Sequence, residues 1–118
     1  MSKPVVLVVE DEPLIRMDAV GMIEDAGYEV LEASSADEAI VLLESREDIR
    51  VVFTDIEMPG SMDGLKLTHA IRKRWPPIVL ILASGRLTPQ TSEMPSETVF
   101  LPKPYREAQL LEILAKID

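Results

Sequence analysis

Four apolar stretches of this chain stop on residues that can do chemistry. Val5-Val6-Leu7-Val8-Val9 runs into Glu10-Asp11-Glu12, and Val51-Val52-Phe53 into Thr54-Asp55. Ile78 to Ala83 ends on Ser84-Gly85, and Thr98-Val99-Phe100-Leu101 on Pro102-Lys103-Pro104-Tyr105. Short unbroken runs of β-formers suit strands buried on both faces of a parallel sheet. The carboxyl edge of such a sheet is where ligands bind, which makes Asp55 a site candidate. Taken alone it suits a plain turn former equally, since Met58-Pro59-Gly60 follows.

Three carboxylates on neighbouring strand ends, Glu10, Asp11 and Asp55, repel one another and are costly to keep charged in a partly buried pocket. A hard divalent cation with oxygen ligands offsets them, and Mg²⁺ commonly takes one or two protein carboxylates together with waters and phosphate oxygens. Lys103 adds a fixed cation and Ser84 a hydroxyl donor. Together these parts make a phosphoryl-transfer site: a carboxylate nucleophile, a metal, and a lysine to spread charge on the equatorial oxygens.

The connecting segments have the pattern needed to bring those ends together. Pro13 opens a helix whose apolar residues, Leu14, Ile15, Met17, Ala19, Val20, Met22 and Ile23, recur at helical spacing up to Ala26, with Gly27 as its stop. Residues 28 to 33 alternate loosely and predict a strand nearer the sheet edge. Ser34 or Ser35 can cap a helix with Ala36, Ala39, Ile40, Leu42 and Leu43 as its stripe. Glu44 to Arg50 has the character of a solvated connection. Asp63 can cap a third helix with Leu65, Leu67, Ala70 and Ile71 inward, and Arg72-Lys73-Arg74 complements its C-terminal dipole. His69 is isolated from any metal-spacing partner, and Trp75 serves as a packing lid. The stretch 86–97 carries Pro89 and Pro95 and no sustained stripe, so at most a turn or two of helix is expected. Ala108, Leu110, Leu111, Ile113, Leu114 and Ile117 mark a final amphipathic helix. Strands alternating with helices imply a parallel α/β sheet, and right-handed crossovers put all the carboxyl ends on one edge.

Composition agrees with one domain over residues 1–118. Hydrophobic residues make up 47% and aromatics 4%, so the core must be aliphatic. Cysteine is absent, which excludes disulfides and thiolate metal sites and fits a cytoplasmic setting. A net charge of -9 argues against direct nucleic-acid binding, and the N-terminal apolar run is too short for a signal peptide or membrane span.

In this order and at these strand ends, the residues resemble the receiver domains of bacterial two-component response regulators, over the whole chain. VVEDEP at 8–13 is similar to the family's acidic pair, FTDIEMPGSMDG at 53–64 to its phosphoacceptor strand and loop, Ser84-Gly85 to its hydroxyl position, and Lys103-Pro104 to its lysine and cis proline. The resemblance implies a flavodoxin-like (βα)5 fold of strand order 2-1-3-4-5 with helices on both faces. It implies Asp55 as phosphoacceptor and Mg²⁺ held by Asp11, Asp55 and the Glu57 backbone carbonyl, with Glu10 nearby through water. A histidine kinase or histidine phosphotransfer protein would supply the phosphoryl group, with a downstream protein reading the result. Phe100 matches the switch aromatic, which turns inward when the Ser84 hydroxyl moves, and a strand's inner face equally needs such a residue.

Two features depart from the family pattern. The helix between the fourth and fifth strands is short or irregular, and the loop at 60–64 is one residue longer than the commonest form. The ASG and KPY segments resemble single-domain receivers of α-proteobacterial type. Such a protein is no enzyme beyond its own phosphorylation and dephosphorylation. The competing readings are a small Mg²⁺-dependent phosphatase with an aspartate nucleophile, whose motif has a second aspartate where Glu57 stands, and a phosphorylation-independent binding module.

Overall fold

In the computed structural model, which describes residues 4–58, 62–86 and 88–117, five parallel strands form one sheet in the order β2-β1-β3-β4-β5. The strands are β1 (Val5–Val9), β2 (Glu29–Ala33), β3 (Ile49–Asp55), β4 (Val79–Ser84) and β5 (Thr98–Pro102). The helices are α1 (Pro13–Asp25), α2 (Ala36–Ser45), α3 (Gly64–Arg74) and α4 (Glu107–Ile117). This is the expected flavodoxin-like order. β1, β3 and β4 lie inside the sheet and are almost wholly buried, whereas β2 at one edge shows the mixed burial its loose alternation predicts.

The pleat splits the core in two. Val5, Leu7, Val9, Val52 and Leu80 face α2 and α3, while Val6, Val8, Val51, Phe53, Ile81 and Leu101 face α1 and α4. At about 25 cal/mol per Å² of apolar surface removed from water, these two aliphatic layers are the main force holding the strand ends in place. The caps follow the sequence. Ser35 accepts from the Glu38 amide at 3.2 Å, Ser34 in turn hydrogen-bonds the Glu38 carboxylate, and Asp63 accepts from the Lys66 amide at 2.9 Å. Gly27, at φ 98°, closes the end of α1 in a conformation that favours glycine.

Three expectations need correction. In α1 only Ala19, Val20 and Ile23 are buried, and Leu14, Ile15 and Met17 face solvent. Apolar residues stand on more than one face of this helix, so spacing alone misassigned its inner stripe. Glu44 to Arg50 is not one solvated connection: α2 runs to Ser45 and β3 begins at Ile49, which is buried beside Val5. Inside α3 the buried positions are Gly64, Leu67, Thr68 and Ile71, with Leu65 and Ala70 only partly covered.

Between β4 and β5 the described residues hold a single 3-10 turn, Thr91–Glu93. Side chains of α3 tie this segment down. His69 Nε2 meets the Glu93 carbonyl at 2.6 Å, and the Arg72 guanidinium donates to the carbonyls of Ser96 and Glu97 as well as to those of Pro76 and Ile78. Arg72 is therefore a clamp on four carbonyls as well as a dipole partner. Trp75 packs against the core with the Arg74 guanidinium 4.3 Å from its ring centroid. The extra residue expected in the loop 60–64 falls partly outside the described residues.

Candidate functional site

Each site residue is fixed by the end of a strand, and β1, β3 and β4 are buried ones. Glu10 follows β1, Asp55 ends β3, Ser84 ends β4 and Lys103 follows β5, and parallel pairing places these ends along one edge. The Glu10 amide continues the ladder by donating to the Ala33 carbonyl, and the Lys103 amide does so to the Ser84 carbonyl at 2.9 Å. The Lys103-Pro104 peptide bond is cis. Glu10, Asp55 and Ser84 are buried, whereas Asp11 and Lys103 are partly exposed.

Lys103 Nζ lies 3.1 Å from Asp55 Oδ1 and 3.4 Å from Glu10 Oε1, so one ammonium faces two carboxylates. Its hydrogen-bond geometry favours Glu10, which leaves Asp55 Oδ1 compensated in charge but without an aligned donor. Carboxylate oxygens of Glu10, Asp11 and Asp55 all lie within 4.8 Å of one another. Three clustered oxygen donors of one sign, one of them buried and lacking a hydrogen bond, are the donor set a hard divalent cation takes.

The electrostatics follow from that crowding. Burial pushes Glu10 up to about 7, with the Asp11 carboxyl and the Asp55 charge adding to the rise and the Glu12 amide and Lys103 opposing it. Burial also raises Asp55, and Lys103 pulls it back only in part. Lys103 loses solvent too, yet the Asp55 and Glu10 carboxylates outweigh that loss and hold it above its ordinary value, firmly charged. Desolvation and unmatched like charge are thus stored at Asp55 and Glu10.

Ser84 does not point an unengaged hydroxyl at Asp55. Its Oγ donates to Glu57 Oε1 at 2.8 Å, and the Arg86 amide donates to the same oxygen at 2.9 Å. Burial works against the Glu57 charge, but those two donors prevail and hold its carboxyl below the usual range. Phe100 lies on β5 opposite Leu82, partly exposed, and is in neither core cluster.

Sequence reasoning passed over several supporting residues. Arg16 Nη1 donates to the Glu10 carbonyl at 2.8 Å while its Nε pairs with Glu32 at 3.1 Å, bracing the acidic turn; its signal was that it is the lone cation of α1. Tyr105 packs edge-on against Phe53, with ring centroids 5.8 Å apart, and joins Ile15 in lining a small cavity beside Asp55. Burial pushes its hydroxyl up to about 12. Gly64 abuts the Asp55 carbonyl, a proximity foreshadowed only by the Asp63-Gly64 pair.

A family model described as the response regulator receiver domain matches residues 6–115. The chain belongs to this family. It is 37% identical to the sensor kinase CckA of Brucella abortus over 121 residues, covering 96% of this chain and 13% of that protein. It is also 37% identical to the positive alginate biosynthesis regulatory protein of Pseudomonas aeruginosa, covering 94% of this chain and 46% of that one. The chain thus spans under half the length of these curated relatives. Among solved structures, a response regulator receiver protein from Sinorhizobium medicae WSM419 superposes with a TM-score of 0.90 at 28% identity, covering 98% of this chain and 94% of that one. The response regulator TrrA from Thermotoga maritima, in complex with Mg²⁺-BeF, gives 0.83 at 28% identity, covering 98% and 99%. The receiver domain is therefore a phosphoacceptor module of two-component signal transduction, and the phosphatase and phosphorylation-independent readings are not favoured. No helix among the described residues is long and apolar enough to cross a membrane.

Proposed function

We propose that Asp55 is the phosphoacceptor, that Glu10, Asp11 and Asp55 with the Glu57 backbone carbonyl hold Mg²⁺, and that Lys103 and Ser84 attend the transferred group. The observation that carries this reading is Asp55 itself: a buried carboxylate at a strand end, 3.1 Å from an ammonium and within 4.8 Å of two further acidic side chains. Mg²⁺, when bound, neutralises phosphoryl oxygens and the acidic cluster together.

An Asp55 oxygen attacks the phosphorus of a phosphohistidine presented by a histidine kinase or phosphotransfer protein. The phosphorus–nitrogen bond breaks, and the imidazole keeps its electron pair. Lys103, already charged and beside Asp55, follows the equatorial oxygens as they gain negative charge, and the Ser84 hydroxyl donates to one of them. Water later hydrolyses the acyl phosphate, restoring the carboxylate. Self-phosphorylation and self-dephosphorylation are the only reactions in this reading.

Phe100, partly exposed beside the β4 end, is the residue through which movement of Ser84 reaches the surface read by a downstream protein. Residues 1–118 act as one receiver unit in the cytoplasm. The net charge of -9 favours protein partners over nucleic acid or an anionic membrane.

Incubation with Mg²⁺ and acetyl phosphate, followed by intact-mass measurement, tests the assignment. One labile phosphoryl group is expected on the native chain and none on Asp55→Asn. Phosphorylation of the Asn variant at native extent would remove Asp55 from the site.

A further inference from the structure

The Glu57 side chain has no part in the reaction as described, yet it occupies the one hydroxyl donor the reaction needs. A serine hydroxyl has a single proton to give, and that of Ser84 is given to Glu57 Oε1. The same oxygen takes the Arg86 amide. Glu57 therefore bolts the loop after β3 to the segment leaving β4.

We propose that Glu57 is a positioning residue that keeps the Ser84 hydroxyl engaged in the unphosphorylated protein and releases it, together with the Arg86 amide, when a phosphoryl group arrives on Asp55. The proposal rests on Asp55 being the acceptor.

The bolt is made to open. Both donors converge on Oε1, while Oε2 is buried and has no hydrogen-bond partner. A carboxylate satisfied on one oxygen and stranded on the other carries a desolvation cost that offsets part of what its two hydrogen bonds contribute. Asp55 and Glu57 already repel, since the Glu57 charge helps raise Asp55. Turning Asp55 into an acyl phosphate adds negative charge and new acceptor oxygens nearby. The Glu57 carboxylate is then repelled more strongly while Ser84 gains a stronger acceptor, so both changes favour the exchange. Arg86 is freed with it, ahead of Glu93 and Ser96, whose carbonyls meet His69 and Arg72.

Amide hydrogen exchange at Arg86, followed by NMR, reads the bolt directly. In the metal-free, unphosphorylated native chain the Arg86 amide is expected to be protected. Adding Mg²⁺ and beryllium fluoride should speed its exchange by about tenfold or more, the factor that corresponds to about 1.4 kcal/mol. In Glu57→Ala, which keeps the backbone carbonyl, exchange is fast at the outset, beryllium fluoride changes it little, and half-saturation needs about tenfold less of the probe. Glu57→Gln, which keeps an acceptor oxygen, restores part of the protection.

The Ile56 amide, bonded to the Ala83 carbonyl at 2.9 Å, is the internal reference that separates release of the bolt from general loosening. Equal Arg86 protection, relative to Ile56, in native and Glu57→Ala protein overturns the proposal. So does native Arg86 protection that is unmoved at saturating beryllium fluoride. The comparison made without any phosphoryl donor does not depend on the acceptor, so failure of the bolt is distinguishable from failure of Asp55, which the Asn variant reports.

Discussion

Gly64, the first residue of α3, stands against Asp55 so closely that a Cβ added to it would fall 1.9 Å from the Asp55 carbonyl oxygen and 2.6 Å from the carbonyl carbon. Both contacts are with backbone, which cannot rotate away. The Gly64 amide simultaneously donates to the Ile56 carbonyl at 3.0 Å. The helix is thus seated on the peptide that carries the Asp55 carboxylate. Gly64→Ala is expected to lower stability by ~1–3 kcal/mol, the range for forcing atoms into filled space, and to slow acetyl-phosphate labelling. Urea denaturation with a labelling time course checks both. An unchanged midpoint would falsify the close approach.

Lys103 is the cation shared by Glu10 and Asp55. Lys103→Met removes it while keeping an apolar stem of similar length. Phosphorylation of Asp55 should slow by about 10²-fold, the loss typical of removing one donor to a developing anion. Mg²⁺ should bind more tightly, because the acidic cluster has lost its internal counter-charge. Opposite directions in the two measurements distinguish this from simple misfolding, in which both would weaken.

Glu10 titrates near 7 in the folded chain against an ordinary value near 4.5, so the folded state holds its proton more firmly than the unfolded state does. Its contribution to stability is therefore fully present below about pH 4.5 and is lost as the pH rises through 7. In metal-free protein the urea midpoint of the native chain should fall relative to Glu10→Gln across that window. The stabilisation given by Mg²⁺ should grow over the same range, as the proton it competes with leaves. A midpoint difference that stays flat from pH 5 to about 8 would contradict the raised value.

Arg72 joins α3 to the carbonyls of Pro76, Ile78, Ser96 and Glu97. Arg72→Ala should cost ~1–3 kcal/mol through the loss of hydrogen bonds from a charged donor and should speed amide exchange at residues 96–98. Arg72→Lys should rescue little, because an ammonium cannot reproduce the guanidinium fork. Full rescue by lysine would show that charge alone matters there.

The strand ends were legible because each apolar run stops on a polar side chain, and parallel connectivity then brings Glu10, Asp55, Ser84 and Lys103 to one edge without further information. What the sequence hid was direction and distance. Leu14 and Met17 have the same hydropathy whichever way they point, and here they are 73% and 66% exposed. Arg72 reads as a helix-end cation because its carbonyl partners at 96 and 97 lie 24 and 25 residues away. Glu57 follows a strand in a turn, where no periodicity tells which way a side chain turns. The contact of Gly64 with Asp55 depends on how α3 returns to the sheet, which packing decides.

The site is also a test of completeness. Lys103 and Glu10 meet across 93 residues of sequence, and Asp55 reaches the same ammonium from a central strand. Every ladder in the sheet joins parallel strands, so each pairing waits for a crossover to be made. A nascent chain still lacking β5 has the acidic side chains but no cation among them, and their mutual repulsion then opposes assembly of the pocket. The acidic cluster gains its counter-charge only when the last strand docks and carries Lys103 to Glu10 and Asp55.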